Sequence, residues 1–470
     1  MPFSAFKKTA ITSGTTNTVA NEIQLTNELS KSEISNILFT FASITIYMGN
    51  DKTKHSDSTN FLLHLHPKKV NEQAVKYTRT FGLGGINILL FLILAFTGLL
   101  LRFSYIPIPE SAYNSIVSFQ NNTLFGVLLR NIHHWSAMFM VVTTFLHLLR
   151  VFYSQSVYYE RKKNWYYGLV LFIIVLAFNF TGYLLPWDQL SYWAVTIMTN
   201  IVEYLPFVGE WLANLIRGGE IVNENTLLNF YNFHTALLPI LFTIFVALHF
   251  WLIRKAKGVT VANNAKQKMV NINPALISKE IIVALFTVAV VVLVALFFDA
   301  PLLEKANPMV SPNPSKAPWY FMGFQELLIN LHPVIATLII PVALTFFFVY
   351  IPKINIDKEK VGTWFYSEKG KRIILYSIIF ALVITVLLIV ILEYLLHLNQ
   401  LNIPLFVSTG IIPLLMYLLP ASTFVIILKT KLKADKTELM ISVATIIFTS
   451  YIVMTIIGVW LRGEAMHLIF

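Results

Sequence analysis

The chain has 470 residues, 56% of them hydrophobic and only 13% charged, with a mean hydropathy of +0.67, which excludes an ordinary soluble domain and points to a multi-span membrane protein. The formal net charge of +11 would suit a nucleic-acid binder, but Lys and Arg gather in loops between apolar runs, so membrane topology accounts for them and no nucleic-acid partner is expected. There is no cysteine, which excludes disulfides, thiolate metal sites and a thioether-linked cofactor.

Residues 1–35 are polar and rich in Ser, Thr and Asn, with no apolar core of a cleavable signal. The apolar stretch 37–48 is too short to span and reads as an amphipathic or surface segment. Nine later segments each supply about 20 apolar residues: 80–103, 131–153, 168–186, 234–254, 279–299, 333–352, 372–396, 403–428 and 438–461. Open strands cannot cross lipid, so the fold class is all-α integral membrane with nine transmembrane helices, the first four forming a bundle. The loops alternate in charge. Basic clusters precede the first span and follow the second, fourth, sixth and eighth (Arg161 to Lys163, Arg254 to Lys268, Lys353 to Arg372, Lys429 to Lys436), whereas the others are poor in Lys and Arg. The positive-inside rule then puts the N-terminus in the cytoplasm and the C-terminus outside. The third-to-fourth and fifth-to-sixth connections, about 45 and about 30 residues, are long enough to carry function, and both fall on the outer face.

Two spans carry a widely spaced histidine pair: His133 and His147 on the second, His234 and His249 on the fourth. Separations of fourteen and fifteen residues return each pair near one helix face, roughly 21–22 Å apart along the axis. Both spans start at the outer face, so His133 and His234 share one depth and His147 and His249 another. Two bis-histidine sites follow, one near each side of the membrane. Neutral imidazole is a good iron ligand, and two axial imidazoles suit a haem that passes electrons. A lone intramembrane His is as often a packing group or proton relay; four matched in depth favour ligation. His134 points about 100° away from His133 and is read as a non-ligand. Arg130 and Arg150 stand three residues from His133 and His147, placed to pair with anionic haem propionates. Gly84 and Gly98 on the first span, and Gly168 and Gly182 on the third, repeat the fourteen-residue spacing, so each glycine can let a flat macrocycle approach the backbone at one depth.

These residues resemble the cytochrome b family of cytochrome bc and bf complexes. Arg130-Asn-Ile-His-His-Trp-Ser-Ala with His147-Leu-Leu-Arg150, Thr181-Gly-Tyr-Leu-Leu-Pro-Trp-Asp-Gln-Leu-Ser-Tyr-Trp-Ala, Phe233-His-Thr-Ala-Leu-Leu-Pro and Pro314-Ser-Lys-Ala-Pro-Trp-Tyr-Phe carry the likeness, which covers about 75 to 352. The resemblance implies two non-covalent haem b groups, outer on His133 and His234 and inner on His147 and His249. It also implies quinol oxidation at an outer site built from the two long loops, a second quinone site near the inner haem, and a contribution to proton translocation. The quinone is expected to be of menaquinone type. The implied partners are a Rieske iron–sulfur protein, a c-type cytochrome, a second copy of the complex as a homodimer, and lipid, in a bacterial cytoplasmic membrane. The organisation expected is a polar segment 1–75, a di-haem bundle 76–258, a quinol-site domain 259–360 and a transmembrane extension 361–470.

Three departures stand out. The family's Pro-Glu-Trp-Tyr reads Ala317-Pro318-Trp319-Tyr320 here, so the loop carboxylate is absent. Tyr320 and Trp319 remain candidate site residues, and the quinol proton is expected to pass to Glu326 or Asp188. Glycine stands in Gly82-Leu-Gly-Gly where bf-type proteins carry a cysteine, leaving room for a further non-covalent haem. The last three spans follow no usual ending. Two other readings are a b-type haem anchor of a dehydrogenase, which would lack the loop 301–326, and a haem-free transporter, which a reduced-minus-oxidised spectrum separates.

Overall fold

A computed structural model describes residues 69–470 except 257, 263–267, 397, 399–401 and 470. The polar segment before residue 69, with the stretch 37–48, lies outside the described residues. Among those described, nine helices are long and apolar enough to cross a membrane: α1 (Leu83–Arg102), α2 (Gly126–Tyr153), α3 (Tyr159–Leu184), α4 (Glu224–Lys255), α5 (Ile277–Phe297), α6 (Ile335–Lys353), α7 (Glu368–Leu395), α8 (Val407–Lys431) and α9 (Lys436–Trp460). The protein is an all-α, multi-pass membrane protein. Strands β1 (Lys69–Asn71) and β2 (Met269–Asn271) pair antiparallel between the basic segments that precede α1 and α5.

Helix α4 begins ten residues before the apolar stretch that marks it in the sequence. Its start is polar and set by a capping box: Asn223 accepts from the backbone of Thr226, whose hydroxyl accepts from the N–H of Asn223. Four spans contain a wide π-turn, Phe233–Leu237, Ile335–Ile339, Ile391–Leu395 and Val407–Ile411. All but Ile391–Leu395, which ends α7, lie just before a proline (Pro239, Pro341, Pro413). A proline ring clashes with the carbonyl four residues earlier, here the middle residue of each of those three turns.

Helices α1 to α4 enclose an apolar core that includes Leu90, Met140, Val175 and Phe242. The last helix is no peripheral addition. Half of its apolar stretch is buried. Phe448 packs with Leu148 and Phe152 of α2, and Tyr153 and Thr445 share a 2.8 Å hydrogen bond. Against α7 it makes the hydroxyl pairs Ser377–Ser442 (2.7 Å) and Thr385–Ser450 (2.9 Å), the polar contacts that join helices where hydrophobicity cannot.

The two long connections are folded and joined. The first contains the helices Gln189–Val202 and Gly209–Arg217, the second the helix Met322–Asn330. Asp188 caps Gln189–Val202 through the N–H of Ser191 (2.9 Å) and accepts from Leu303 N–H (3.1 Å). The N–H of Gln189 donates to Glu304 O, and that of Ala306 to Trp187 O.

Candidate haem and quinol site

The bundle brings the four histidines together in two pairs. His133 and His234 have ring centroids 6.3 Å apart, and His147 and His249 6.4 Å apart. Metal–imidazole bonds are about 2 Å long, so rings at this separation would leave room for one metal ion between them. Among the described residues no group of three or more His, Cys, Asp or Glu gathers as a metal site, so the histidines come only in twos.

The orientation of the first pair follows from its neighbours. Thr97 donates its hydroxyl hydrogen to Ile93 O, so its oxygen can only accept from His133 Nδ1 at 2.9 Å. Thr181 likewise donates to Ala177 O and stands 3.2 Å from His234 Nδ1, which is also 3.0 Å from Phe178 O. Placing the proton on Nδ1 leaves the Nε2 lone pair for a metal. In the second pair the Nδ1 atoms of His147 and His249 are buried and lack a partner in hydrogen-bond geometry.

Each glycine faces one histidine. A Cβ on Gly98 would stand 3.1 Å from Cε1 of His133, and one on Gly182 2.6 Å from Cε1 of His234. On Gly84 and Gly168 it would stand 3.7 Å from Cε1 of His147 and of His249. Glycine, histidine, glycine and histidine thus make one layer toward the long loops and a second toward the basic loops. The donor chemistry, the ring separations and these cradles fit a haem at each layer.

The two arginines differ. Arg130 does not present a free guanidinium to its histidine: it donates to the carbonyls of Ala300 (2.8 Å) and Pro301 (2.6 Å), fastening the chain after α5. Sequence spacing along α2 gave no sign of those carbonyls. Arg150 donates from Nε to Arg79 O (2.7 Å), but its Nη2 is buried without a partner and remains available to an anionic group. Gly82 has φ +66°, and a Cβ there would lie 2.9 Å from Cγ1 of Val283 on α5.

Between the long connections lies a cavity of about 280 Å³. Ala194, Ile197 and Met198 wall one side; Ser315, Lys316 and Ala317 with Gln325 and Leu328 wall the other. The Ser315 hydroxyl is buried without a partner. Neither expected proton acceptor lines it. Asp188 is occupied as cap and loop strut, and Glu326 is wholly buried and holds Arg462 with both oxygens, at 2.9 and 2.8 Å. Burial alone disfavours the Arg462 charge, but Glu326 and Glu393 more than offset this and hold it above the ordinary arginine range. Sequence reasoning missed Arg462, although an ionisable residue bordering an apolar run was a signal. Trp319 donates its ring N–H to Sδ of Met138 at 3.2 Å. Tyr320 is buried, its hydroxyl unpartnered; burial and the nearby Tyr183 push its pKa well up, so it stays a donor.

The family model Cytochrome b/b6/petB matches residues 69–257. Cytochrome b6 of Prochlorococcus marinus is 43% identical over 173 residues, covering 37% of this chain and 79% of the relative. The chain belongs to the cytochrome b/b6 family. Cytochrome b6 of Synechococcus elongatus is also 43% identical over 173 residues, with 37% of this chain and 80% of the relative covered. This family member is longer than those relatives. A chain of a hyperthermophilic respiratory Complex III superposes with a TM-score of 0.58 at 21% identity, covering 81% of this chain and 91% of that one, a likeness of fold. Membership makes the chain a haem-binding electron-transport subunit of an oxidoreductase complex.

Proposed function

We propose that this chain is the quinol-oxidising subunit of a cytochrome bc-type complex, taking electrons from quinol beside the long loops and moving them across the membrane by way of two b haems to a quinone site at the basic end. The observation that carries this reading is the pair of histidine layers, with rings 6.3 and 6.4 Å apart and each ring facing a glycine. Haem, when bound, supplies a one-electron iron couple at each layer.

The protein's own residues do the rest. His133 and His234 would ligate one haem and His147 and His249 the other, with Thr97 and Thr181 fixing the tautomers of the first pair. Gly84, Gly98, Gly168 and Gly182 let each imidazole pack against the backbone of the neighbouring helix. Arg150 offers its unpartnered Nη2 to a propionate. In the cavity, Ser315 offers a hydroxyl to the quinol head group, whereas the Nζ of Lys316 is engaged by Val459 O. Tyr320 and Trp319 stiffen the loop there. With the carboxylates at 188 and 326 engaged in holding structure, the proton leaves through Ser315 or solvent.

The divisions 76–258, 259–360 and 361–470 then correspond to haem bundle, quinol site and extension. The basic loops face the cytoplasm of a bacterial cell and the cavity faces outward. The quinone is of menaquinone type. A quinol gives up two electrons. With no cysteine in the chain, the Rieske cluster that takes one of them belongs to another subunit, as does the c-type cytochrome it feeds, in a homodimeric complex that contributes to proton translocation. The test is quinol reduction of the purified complex followed by absorption spectroscopy. Two b-type centres that reduce on adding quinol support the reading; no b-type absorption, or haem that quinol does not reduce, overturns it.

A further inference from the structure

The wall of the cavity formed by 313–326 is held from behind by the end of α9 and the chain after it. Five separate contacts join them. Lys316 Nζ donates to Val459 O at 3.0 Å. The Tyr451 hydroxyl donates to Tyr320 O at 2.7 Å. Ala465 N–H donates to Oδ1 of Asn313 at 2.6 Å. Gly323 lies so close to Tyr451 and Thr455 that a Cβ there would meet Thr455 Oγ1 at 2.8 Å. Arg462 grips Glu326 with two hydrogen bonds.

The residues that grip are themselves fixed. After α9 the chain turns back, with Gly463 N–H donating to His467 O and Ile469 N–H to Leu461 O, both at 2.9 Å. Inside this hook Arg462 donates to Met466 O (2.9 Å) and also holds Glu393 at the end of α7. Glu393 in turn accepts from Leu468 N–H at 2.8 Å. The Arg462 side chain is 1% exposed and that of Glu326 0%. A planar guanidinium bound on two sides has one geometry, so Glu326, and with it the helix Met322–Asn330 carrying Gln325 and Leu328 into the cavity, has one position. Gln325 passes that position on to the loop, accepting from Ala317 N–H (2.7 Å) and donating to Ser315 O (2.9 Å).

We propose that the end of α9 with the hook 461–469 is a positioning element of the quinol cavity, with Arg462 as its positioning residue. The hook lies outside the part of the chain that the family model matches. It supplies from within one chain the rigidity that the wall of an irregular loop lacks on its own. The inference rests on the quinol reading for the identity of the occupant, but the mechanical relation between hook and wall does not.

The test uses the intact purified complex with two variants. Arg462→Lys keeps the charge and loses the two-pronged grip; Asn313→Ala removes one bond from the hook and leaves every buried charge paired, so it carries the test if the lysine variant does not assemble. Amide hydrogen exchange over 313–326 and the kinetics of quinol oxidation are read together, with the haem spectra as the internal control. The expected result is faster exchange in 313–326, a quinol KM raised by about tenfold in Arg462→Lys and by less in Asn313→Ala, and unchanged haem spectra; misplacement remote from the chemistry has effects of this order or larger. Unchanged exchange overturns the mechanical relation. Faster exchange with wild-type KM and kcat makes the hook merely structural and overturns the positioning role. A wild-type complex that no quinol reduces is the failure of the functional reading instead, and the exchange result then decides the relation of hook and wall by itself.

Discussion

Gly182 and His234 leave no space between them: a Cβ on the glycine would stand 2.6 Å from Cε1 of the imidazole. Something must shift to admit even a methyl group, and α3 and the π-turn of α4 are both packed in place. Gly98 and His133, at 3.1 Å, are nearly as close, whereas Gly84 and Gly168 keep 3.7 Å, ordinary van der Waals contact. Four glycines with one spacing in the sequence are therefore unequal in the structure.

Alanine substitutions rank accordingly. Gly182→Ala is expected to cost about 1–3 kcal/mol by overpacking and to shift or abolish the spectrum of the haem toward the long loops. Gly98→Ala follows, and Gly84→Ala and Gly168→Ala leave both haem bands near normal. Absorption spectra and thermal unfolding of the four purified variants check the order; equal effects at all four positions would contradict the geometry.

The ligand assignment predicts stoichiometry. The intact complex holds two haem b per copy of this chain, and His147→Ala holds one, retaining the band of the His133–His234 site. Acid–acetone extraction removes haem from this chain completely, because no cysteine is present to form a thioether. Haem quantified per chain before and after extraction decides both points.

Much of this site was legible before any coordinates. The depth matching of His133 with His234 and His147 with His249 needed only the helical rise and the count of spans, because a membrane fixes helix direction and so turns sequence separation into depth. What could not be read was contact between distant segments. Glu326 reads in the sequence as a free carboxylate, whereas Arg462, 136 residues away, holds it in the fold. Arg130 sat three residues from His133, and its carbonyl partners lie 170 and 171 residues on. The early start of α4 was missed for a different reason: its first turns are polar, and hydropathy marks only the apolar part of a helix.

The hydroxyls of Thr97 and Thr181 give the two haem sites different surroundings. His133 and His234 each have a partner on Nδ1; in His147 that atom has none, and in His249 it has none in hydrogen-bond geometry although the Asn164 backbone lies near. A hydrogen bond to Nδ1 raises the basicity of the ligating nitrogen, and removing such a partner typically weakens a metal site by about 10–100-fold. Thr97→Val is expected to raise the midpoint potential of the haem on His133 and His234 and weaken its retention, leaving the other haem unchanged. Redox titration that resolves the two b bands measures this, and equal movement of both potentials counts against the assignment.

Ser315 separates binding from stability. Its hydroxyl is buried at the cavity wall without a protein partner, so it makes no protein hydrogen bond for folding to gain. Ser315→Ala loses none, and thermal stability should stay level or rise slightly. If the hydroxyl meets a quinol oxygen, the same substitution removes a neutral hydrogen bond of about 1 kcal/mol, a KM higher by roughly five- to tenfold. Glu326→Gln behaves in the opposite sense. It leaves Arg462 with a weakened partner in a buried setting, so stability falls first and quinol kinetics follow. Melting curves and steady-state kinetics of the two variants distinguish the roles. A Ser315→Ala protein that is destabilised with normal KM would make the hydroxyl a packing group. A Glu326→Gln protein of normal stability whose turnover collapses would return the proton to the carboxylate and remove it from Ser315.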